Sequence, residues 1–373
     1  MEGPRPAKPE EFDRLMETID GIFAGGRRHM REGFPLLFNM DNLQNLFIVV
    51  EDGRPVSHVG VLVRDVYLFG CRLTTASVGS VGTLEEYRGR GIAGACLEAA
   101  EKGAVAQGAS VTLISGRRNL YTRFGALQVG SSLVADVPAG DAGKGVTVRR
   151  AAAADVALLQ SLYEREPVRF HRPLEDWQAM LRSLEARSRG RNNHAIFLVE
   201  RDGEPVAYVF ASHFLWDEGP HTRAGEFAGC RPSIAAALPA VAAQLGAEAI
   251  QMRAPAWDSV LPGLLGAGGY ETREEHLSGH TVKVSSVENF LQQLRPLIEE
   301  RVGRSAADAF RCSTDTAGLY ECWVGEERLT FEPPAFTALA FGQPAPGDEE
   351  RDRRGVLDRI FPVPLPLPGL NYV

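Results

Sequence analysis

Glycines and arginines are concentrated in one short segment, where an apolar strand leads into a helix. The segment reads Arg88-Gly89-Arg90-Gly91-Ile92-Ala93-Gly94 and follows a strand predicted over 76–83. Glycine lets the backbone approach a phosphate closely, and the first N–H groups of a helix have no partner within the helix, so they can bind an anion. The arginines add positive charge. The segment therefore predicts a phosphate-binding loop.

Two kinds of nucleotide-binding loop share these features. The spacing Gly89-x-Gly91-x-x-Gly94 fits the dinucleotide fingerprint, and the arginines at 117–118 are candidates for binding a 2′-phosphate. However, that fingerprint normally follows its strand directly and opens the fold. Here the charged segment 85–88 intervenes, and several predicted strands come first. A nicotinamide dinucleotide site is therefore the weaker alternative.

The segment resembles the acetyl-CoA loop of the GNAT acetyltransferase superfamily. Its signature is Arg or Gln, two residues, Gly, one residue, then Gly or Ala, and residues 88–93 satisfy it. The resemblance implies that backbone N–H groups of the loop hold the CoA pyrophosphate, while the preceding strand lies along the pantetheine and the acetyl carbonyl. The cofactor contacts it implies are Val81, Gly82, Thr83, Arg88, Gly89, Arg90, Gly91, Ile92, Ala93, Gly94 and Ser115.

Tyr121 is the candidate proton donor. It lies where members of this superfamily commonly have a tyrosine that protonates the departing CoA thiolate, and Phe124-Gly125 follows it here. A phenol with a pKa of about 10 can donate to a thiolate whose conjugate acid has a pKa of about 8.5. The alternative is a tyrosine that only packs in the core.

The elements that position this site recur later in the chain. Residues 47–56, FIVVEDGRPV, return as 197–206, FLVERDGEPV, and each copy predicts a hairpin with Asp-Gly at its turn. Order and spacing agree further on, which predicts two α/β units joined near 138–145. In the second copy the loop position holds 231–236, RPSIAA, and Pro262 replaces the tyrosine. The second unit is therefore predicted not to bind CoA.

A third unit begins at about residue 285, with a helix through 290–298 and strands near 320–324 and 328–331. The chain then ends in a proline-rich, extended tail, 361–373. This order resembles the enhanced intracellular survival (Eis) family. The resemblance implies an α/β (α+β) fold with tandem mixed sheets flanked by helices. The domains it implies are 1–140 (catalytic), 147–284 (degenerate) and 285–373 (sterol-carrier-like).

In that family the terminal carboxylate reaches back into the first active site and acts as the general base. The resemblance therefore assigns this role to Val373, directly or through water. A tail that only seals the junction between domains is the alternative.

The composition of the chain argues against several kinds of partner and site. The net charge of −8 disfavours nucleic acid and anionic membranes as partners. Five scattered cysteines, with no Cys-x-x-Cys pair, argue against a disulfide framework and a structural zinc site. No apolar run is long enough for a membrane span and the start lacks the apolar core of a signal peptide, so a cytoplasmic location is expected.

The sequence therefore predicts an acetyl-CoA-dependent N-acetyltransferase that uses no metal. Its acceptor is a primary amine, with a polyamine, an aminoglycoside, a peptide and a lysine side chain all open. The resemblance allows a homo-oligomer, since relatives form hexamers. Two non-enzymatic alternatives are an acetyl-CoA-binding regulator without turnover and a carrier of hydrophobic ligands.

Overall fold

The computed structural model describes residues 1–24, 30–188, 192–216, 219–276, 280–342 and 355–371. Contacts between residues divide this part of the chain into two compact units. The first contains the described residues within 1–130 and 278–365, and the second contains those within 131–277 and 366–372. Among the described residues, no helix combines the length and the apolar character that crossing a membrane requires.

The first unit is built on a mixed sheet whose strands follow the order β1-β2-β3-β4-β5-β14. The described residues within 1–130 also form four α-helices. The strands are β1 (Glu2–Pro6), β2 (Leu46–Glu51), β3 (Arg54–Leu68), β4 (Cys71–Thr83), β5 (Val111–Ser115) and β14 (His280–Val284), and the helices are α1 (Phe12–Ala24), α2 (Met30–Gly33), α3 (Ile92–Ala106) and α4 (Asn119–Arg123).

Tight turns set the register of the long antiparallel strands. Asp52-Gly53 joins β2 to β3, and both residues have positive φ, 49° and 74°. Phe69-Gly70 joins β3 to β4 in the same way, with φ of 47° and 85°. Two-residue turns with positive φ at both positions match the twist of the flanking strands. The first hairpin predicted from the Asp-Gly repeat is thus confirmed.

Among its described residues, the second unit has a seven-stranded sheet in the order β13-β6-β12-β11-β10-β9-β7. Its second hairpin turn, Asp202-Gly203, also has positive φ at both residues, which confirms the second predicted hairpin. The strands of this sheet are β6 (Ser131–Pro138), β7 (Val146–Arg150), β9 (Asn192–Arg201), β10 (Glu204–Trp216), β11 (Gly219–Gly229), β12 (Ala249–Pro255) and β13 (Thr272–His276). The short strand β8 (Val168–Phe170) is not part of this sheet, and the helices are α5 (Val156–Tyr163), α6 (Leu174–Arg187), α7 (Arg231–Gln244) and α8 (Val260–Ala267).

The two sheets share one arrangement. In each, three consecutive antiparallel strands (β2-β3-β4 and β9-β10-β11) are followed by a helix and then by a strand parallel to the last of them. The helices at corresponding places are α3 and α7. The predicted mixed α/β fold, with mixed sheets flanked by helices, is confirmed.

Two strands belong to a different sheet from the one that their positions in the sequence predict. β6 falls within the expected first domain, yet it pairs with β12 and β13 of the second sheet. β14 falls within the expected second domain, yet it pairs with β5 of the first sheet. The chain therefore leaves the first unit after residue 130 and rejoins it by adding a strand beside β5.

The C-terminal part of the first unit packs around aromatic side chains. Phe290 on the predicted helix through 290–298 lies against Phe336 and Phe361, with ring centroids 6.4 Å away in each case. The elements are α9 (Val287–Val302), α10 (Arg304–Ala309), β15 (Phe310–Thr314), β16 (Tyr320–Val324), β17 (Glu327–Phe331), α11 (Pro333–Phe341) and α12 (Leu357–Ile360), with β15-β16-β17 forming a small sheet.

One disulfide corrects the interpretation of the cysteines. Cys312 and Cys322 lie directly opposite each other on β15 and β16 and are joined by a disulfide bond. Their Cα atoms are 4.1 Å apart. Scattered positions in the sequence argued against such a bond, but the antiparallel pairing brings the two thiols together across a short turn.

Candidate functional site

A bulge in β4 shapes the site. The pairing of β3 with β4 shifts register between His58 and Gly60, whose partners are Gly82 and Gly79, so β4 has one extra residue there. Ser80, within the extra stretch, has a φ of 55°. A bulge of this kind bends the strand and increases its twist.

Strands β4 and β5 part just before the bulge. Their parallel pairing ends where Val78 faces Ile114, and β5 itself ends at Ser115. β4 continues to Thr83 and stays paired with β3 on its other edge. The edge of β4 over 79–83 that faces away from β3 is therefore not paired with β5. An open strand edge can bind a ligand through backbone groups.

The open edge presents N–H donors. The N–H of Leu84 bonds to β3, so Thr83, one residue earlier, directs its own N–H to the opposite side. Arg118 Nη1 donates to the carbonyl oxygen of Val81 at 3.2 Å, which places the polar groups of Val81 on the open side as well. Arg88 Nε donates to the carbonyl oxygen of Thr83 at 3.2 Å. The arginine side chains thus bind carbonyl oxygens of this edge, whereas its N–H groups remain directed toward the side that β5 does not cover.

The glycine loop after β4 requires glycine for backbone conformation. Gly89 and Gly91 have φ of 77° and 76°, a left-handed region that other residues rarely adopt. A Cβ at either position would meet nothing within 4 Å, so crowding is not the reason. Gly91 is the N-cap of α3. The N–H groups of residues 92–94, in the first turn of the helix, have no partner within the helix and point toward the loop. At Gly94 a Cβ would have ordinary space, since it would lie 3.9 Å from Leu120 Cδ1.

The two arginines of the loop are exposed and help to hold its shape. Arg90 Nη2 donates to the carbonyl oxygen of Glu86 at 2.9 Å, and its guanidinium lies 5.1 Å from the ring centroid of Tyr87. Arg88 binds the end of β4, as described above. Together with the positive end of the α3 dipole, these cations give the loop the electrostatics of an anion site.

Tyr121 lies beside the open edge. It is on α4 and only 3% exposed, in the same apolar cluster as Val81 and Ile92. Its ring packs over Gly116, where a Cβ would be 3.2 Å from Tyr121 Cε2. The structure therefore brings the predicted proton donor, the strand edge and the helix start into one region. Val373 lies outside the described residues.

Sequence reasoning missed Ser57. Its Oγ is 2.8 Å from Thr83 Oγ1 and donates to the carbonyl oxygen of Gly82 at 3.2 Å. Ser57 also bonds to the thiol of Cys96 on α3, and burial raises the pKa of that thiol to about 11. The available signal was a polar residue directly after the apolar Val56, but the partners of Ser57 are more than twenty residues away in sequence.

His58, the next residue on β3, was also missed. It is fully buried, and burial lowers its pKa to about 3, so the ring is neutral at physiological pH. Its ring lies 5.9 Å from that of Phe38, on the face opposite α3. A buried histidine in this form contributes shape and a polar surface but no charge.

The corresponding helix start in the second unit is already occupied by side chains. Glu166 accepts hydrogen bonds from the N–H of Gly229 at 2.8 Å and from Arg231, the first residue of α7, at 2.6 and 2.8 Å. Arg231 Nε also donates to Asp258 at 2.7 Å. A carboxylate of the protein itself thus neutralises the cation at this helix start.

The described residues contain no group of three or more His, Cys, Asp or Glu side chains arranged to hold a metal ion.

The comparisons with known proteins concern the fold and the N-terminal region. A search of curated proteins finds no match.

Several solved structures share the fold across nearly the whole chain. A GCN5-related N-acetyltransferase from Anabaena variabilis has a TM-score of 0.65 at 13% identity, covering 95% of both chains. A probable N-acyltransferase from Enterococcus faecalis has a TM-score of 0.66 at 12% identity, covering 97% of both. Eis1 from Mycobacterium abscessus has a TM-score of 0.62 at 15% identity, covering 97% of this chain and 98% of that one. At these identities the likeness shows the fold.

The family comparison is made on sequence and reaches the site itself. Residues 4–128 match the family model described as an acetyltransferase (GNAT) domain. This range contains β4, the glycine loop, the start of α3 and Tyr121. Residues 4–128 are therefore similar in sequence to GNAT acetyltransferase domains.

Proposed function

We propose that the protein transfers an acetyl group from acetyl-CoA to a primary amine of a small molecule or peptide. The observation that carries the proposal is the open edge of β4, which ends beside a glycine loop at the start of α3. Both lie within residues 4–128, which match the family model described as an acetyltransferase (GNAT) domain.

The donor groups of the site fit acetyl-CoA. The N–H groups of 88–94 and the loop arginines would bind the pyrophosphate, since a helix start with positive-φ glycines suits an anion. The open edge at Val81 and Thr83 would take hydrogen bonds along the pantetheine, with Gly82 between them and Ser115 facing across from β5. Acetyl-CoA supplies an activated thioester, so an amine can attack it without a covalent acyl-enzyme.

The residues of the chain handle charge and protons. A backbone N–H near Val81 and Thr83 would stabilise negative charge that develops on the thioester oxygen. Tyr121 would donate its phenolic proton to the departing thiolate. The terminal carboxylate of Val373 would accept the proton of the amine, directly or through water. The loop supplies proximity and orientation.

In this proposal the second unit is a scaffold that does not bind CoA. The carboxylate of Glu166 takes the N–H of Gly229 and neutralises Arg231 at the start of α7. A phosphate there would have to displace a partly buried ion pair. The sterol-carrier-like identity of the C-terminal part belongs to the same proposal, with its three-stranded sheet as the feature in its favour.

The test is release of CoA from acetyl-CoA across a panel of amines, for the full chain, Tyr121→Phe and a chain lacking Val373. We expect amine-dependent release that falls by about 10²-fold or more in both variants. Full activity without Val373 would contradict the terminal-carboxylate base and keep the enzyme. Tight binding of acetyl-CoA with no release for any amine would favour a regulator instead.

A further inference from the structure

A partly buried ion pair in the first unit joins two segments that are distant in sequence, β14 and α3. Lys283 Nζ on β14 lies 2.8 Å from Glu101 Oε2 on α3, and the two side chains are 16% and 14% exposed. The other carboxylate oxygen, Glu101 Oε1, is buried and has no hydrogen-bond partner among the described residues. Lys283 is therefore the cation that compensates this carboxylate, and the proposed chemistry gives neither residue a role.

The ammonium group of Lys283 also contacts the segment that carries Tyr121. Its Nζ lies 4.1 Å from the ring centroid of Phe124, the C-cap residue of α4. A cation over an aromatic face is attracted to it, and more strongly where water is excluded. Tyr121 lies one turn earlier on the same helix. One lysine therefore links the helix of the predicted proton donor to α3, whose first turn follows the glycine loop.

Backbone hydrogen bonds fix the same junction. Leu127, just after α4, and Val282 of β14 exchange N–H···O=C bonds of 2.8 and 2.7 Å. The N–H of Ala126 donates to the carbonyl oxygen of Tyr121 at 2.9 Å. α4 has only five residues, and a helix of that length is not stable by itself. The position of Tyr121 therefore depends on the contacts at the ends of α4, and β14 supplies those at the C-terminal end.

The distance between α3 and α4 matters for the proposed reaction. The glycine loop and the first turn of α3 would fix the pyrophosphate of CoA, and Tyr121 would have to reach the sulfur of the same molecule. Proton transfer requires the two heavy atoms to be within hydrogen-bond reach, and a small misplacement of a reacting group can cost about 10²-fold in rate. A residue that binds both helices is placed to hold this distance.

We propose that Lys283 is a positioning residue that holds Phe124, and through it Tyr121, at a fixed distance from the cofactor loop. The proposal rests on the proposed function, in which Tyr121 protonates the departing thiolate. Lys283 acts through α4 and is assigned no contact with the cofactor or the acceptor. It lies outside residues 4–128, so the part of the chain that resembles GNAT domains does not contain it.

The decisive variant is the double change Lys283→Met with Glu101→Gln, because it removes both charges and leaves neither one unpaired in a partly buried site. The matched control is Arg5→Met with Glu11→Gln. That ion pair measures 2.7 Å, with side chains 20% and 18% exposed, and Arg5 lies on β1, at the opposite edge of the same sheet. Lys283→Arg, which keeps a cation at the same place, is the conservative variant.

Three properties are measured on the full-length protein. Steady-state kinetics with the best amine of the panel gives kcat, and calorimetric titration gives Kd for acetyl-CoA. Hydrogen exchange followed by mass spectrometry reports on the amides of 119–127. The kinetic measurement is repeated in the Tyr121→Phe background, because a residue that acts through the phenol has no effect on the reaction once the phenol is removed.

We expect the double variant to lower kcat by about tenfold or more, with Kd for acetyl-CoA within about twofold of the unaltered protein, since the cofactor loop is not altered. The amides of 119–127 should exchange at least about tenfold faster. In the Tyr121→Phe background the same double change should alter kcat by less than about twofold. The control pair should match the unaltered protein in all three measurements, and Lys283→Arg should retain at least about half of kcat.

Unchanged exchange of 119–127 would overturn the proposal, because Lys283 would not hold α4. Faster exchange with unchanged kcat would overturn the positioning role, and so would an equal fall of kcat with and without the phenol of Tyr121. If the unaltered protein releases no CoA with any amine, the proposed function fails by itself, and hydrogen exchange still decides whether Lys283 holds α4.

Discussion

The starts of α3 and α7 occupy the same place in two similar sheets, yet they differ in what lies in front of the helix. Before α3 the chain forms a loop with two left-handed glycines and exposed arginines. Before α7 the positive-φ glycine is Gly229, and Glu166 accepts its N–H and forms an ion pair with Arg231. The comparison teaches that a helix start alone does not make an anion site. In the proposed function, the anion site also requires that no carboxylate of the protein lies in front of the helix.

A second difference lies directly after the repeated hairpin segments. Ser57 and His58 of the first unit correspond in the repeat to Ala207 and Tyr208 of the second. Ser57 bonds to Thr83 at the edge of the candidate active site. Tyr208 instead bonds to Glu226. Equivalent strand positions thus contact the edge of the candidate site in one unit and, in the other, the carboxylate of Glu226, which accepts the N–H of Leu370.

The largest expected effect comes from breaking the open loop. Gly91→Val places a β-branched residue at a φ of 76°, so the loop must change conformation. We expect the affinity for acetyl-CoA to fall by about 10²-fold or more, because the N–H donors lose their common orientation. Isothermal titration calorimetry measures this.

The matched control is Gly108→Val, beyond the other end of α3. Gly108 has a φ of 92° and equally free space around a Cβ. Gly108→Val should lower stability by a similar amount and leave the affinity for acetyl-CoA within about twofold, since in the proposed function the anion binds at the helix start, not at the helix end. Equal losses in the two variants would mean that Gly91 matters only for folding.

The second-largest effect is expected at the start of α7, where Glu166 pairs with Arg231. Glu166→Ala leaves Arg231 with Asp258 as its remaining carboxylate partner and frees the N–H of Gly229. We expect the free energy of unfolding to fall by about 2–4 kcal/mol, because a partly buried cation loses a partner. Urea denaturation measures this, and KM for acetyl-CoA should not change. A changed KM would place this network in cofactor binding and contradict the comparison.

A smaller effect per pH unit should come from His58. Its folded pKa of about 3 lies below its ordinary value of 6.5, so the unfolded chain binds a proton that the folded chain does not. Stability from this group is therefore complete above pH 6.5 and falls as the pH drops toward 3, by about 1.4 kcal/mol per pH unit. Comparing urea denaturation of the unaltered protein and His58→Gln from pH 7 to 5 checks this. An identical pH slope in the variant would contradict it.

The smallest effect belongs to Ser57. Ser57→Ala removes the hydrogen bond to Thr83 while leaving the backbone edge in place, so kcat should fall by about three- to tenfold. Ala207→Ser, the reciprocal change in the second unit, should leave kcat unaltered. Steady-state kinetics with both variants measures the difference, and an unaltered rate in Ser57→Ala would remove Ser57 from the site.

The local features of the site were readable from the sequence, since hairpin turns, a glycine loop and a helix start depend on neighbouring residues. The Asp-Gly turns and the helix α9 are where the sequence predicted them. The sheets that β6 and β14 join could not be predicted from the sequence. The residue pattern of a strand shows which of its faces is buried but not which neighbouring strand it pairs with. The disulfide Cys312–Cys322 and the buried ion pair Arg172–Glu226 depend on pairing of distant segments, so no spacing in the sequence indicated them.

The central claim is that one of the two helix starts, and not the other, binds acetyl-CoA. Calorimetric titration of the full-length protein with acetyl-CoA tests it most directly, with Gly91→Val and Arg231→Ala titrated in parallel. The account predicts one acetyl-CoA per chain, lost in Gly91→Val and retained with unchanged affinity in Arg231→Ala. Two sites per chain, or a single site lost in Arg231→Ala and kept in Gly91→Val, would contradict it.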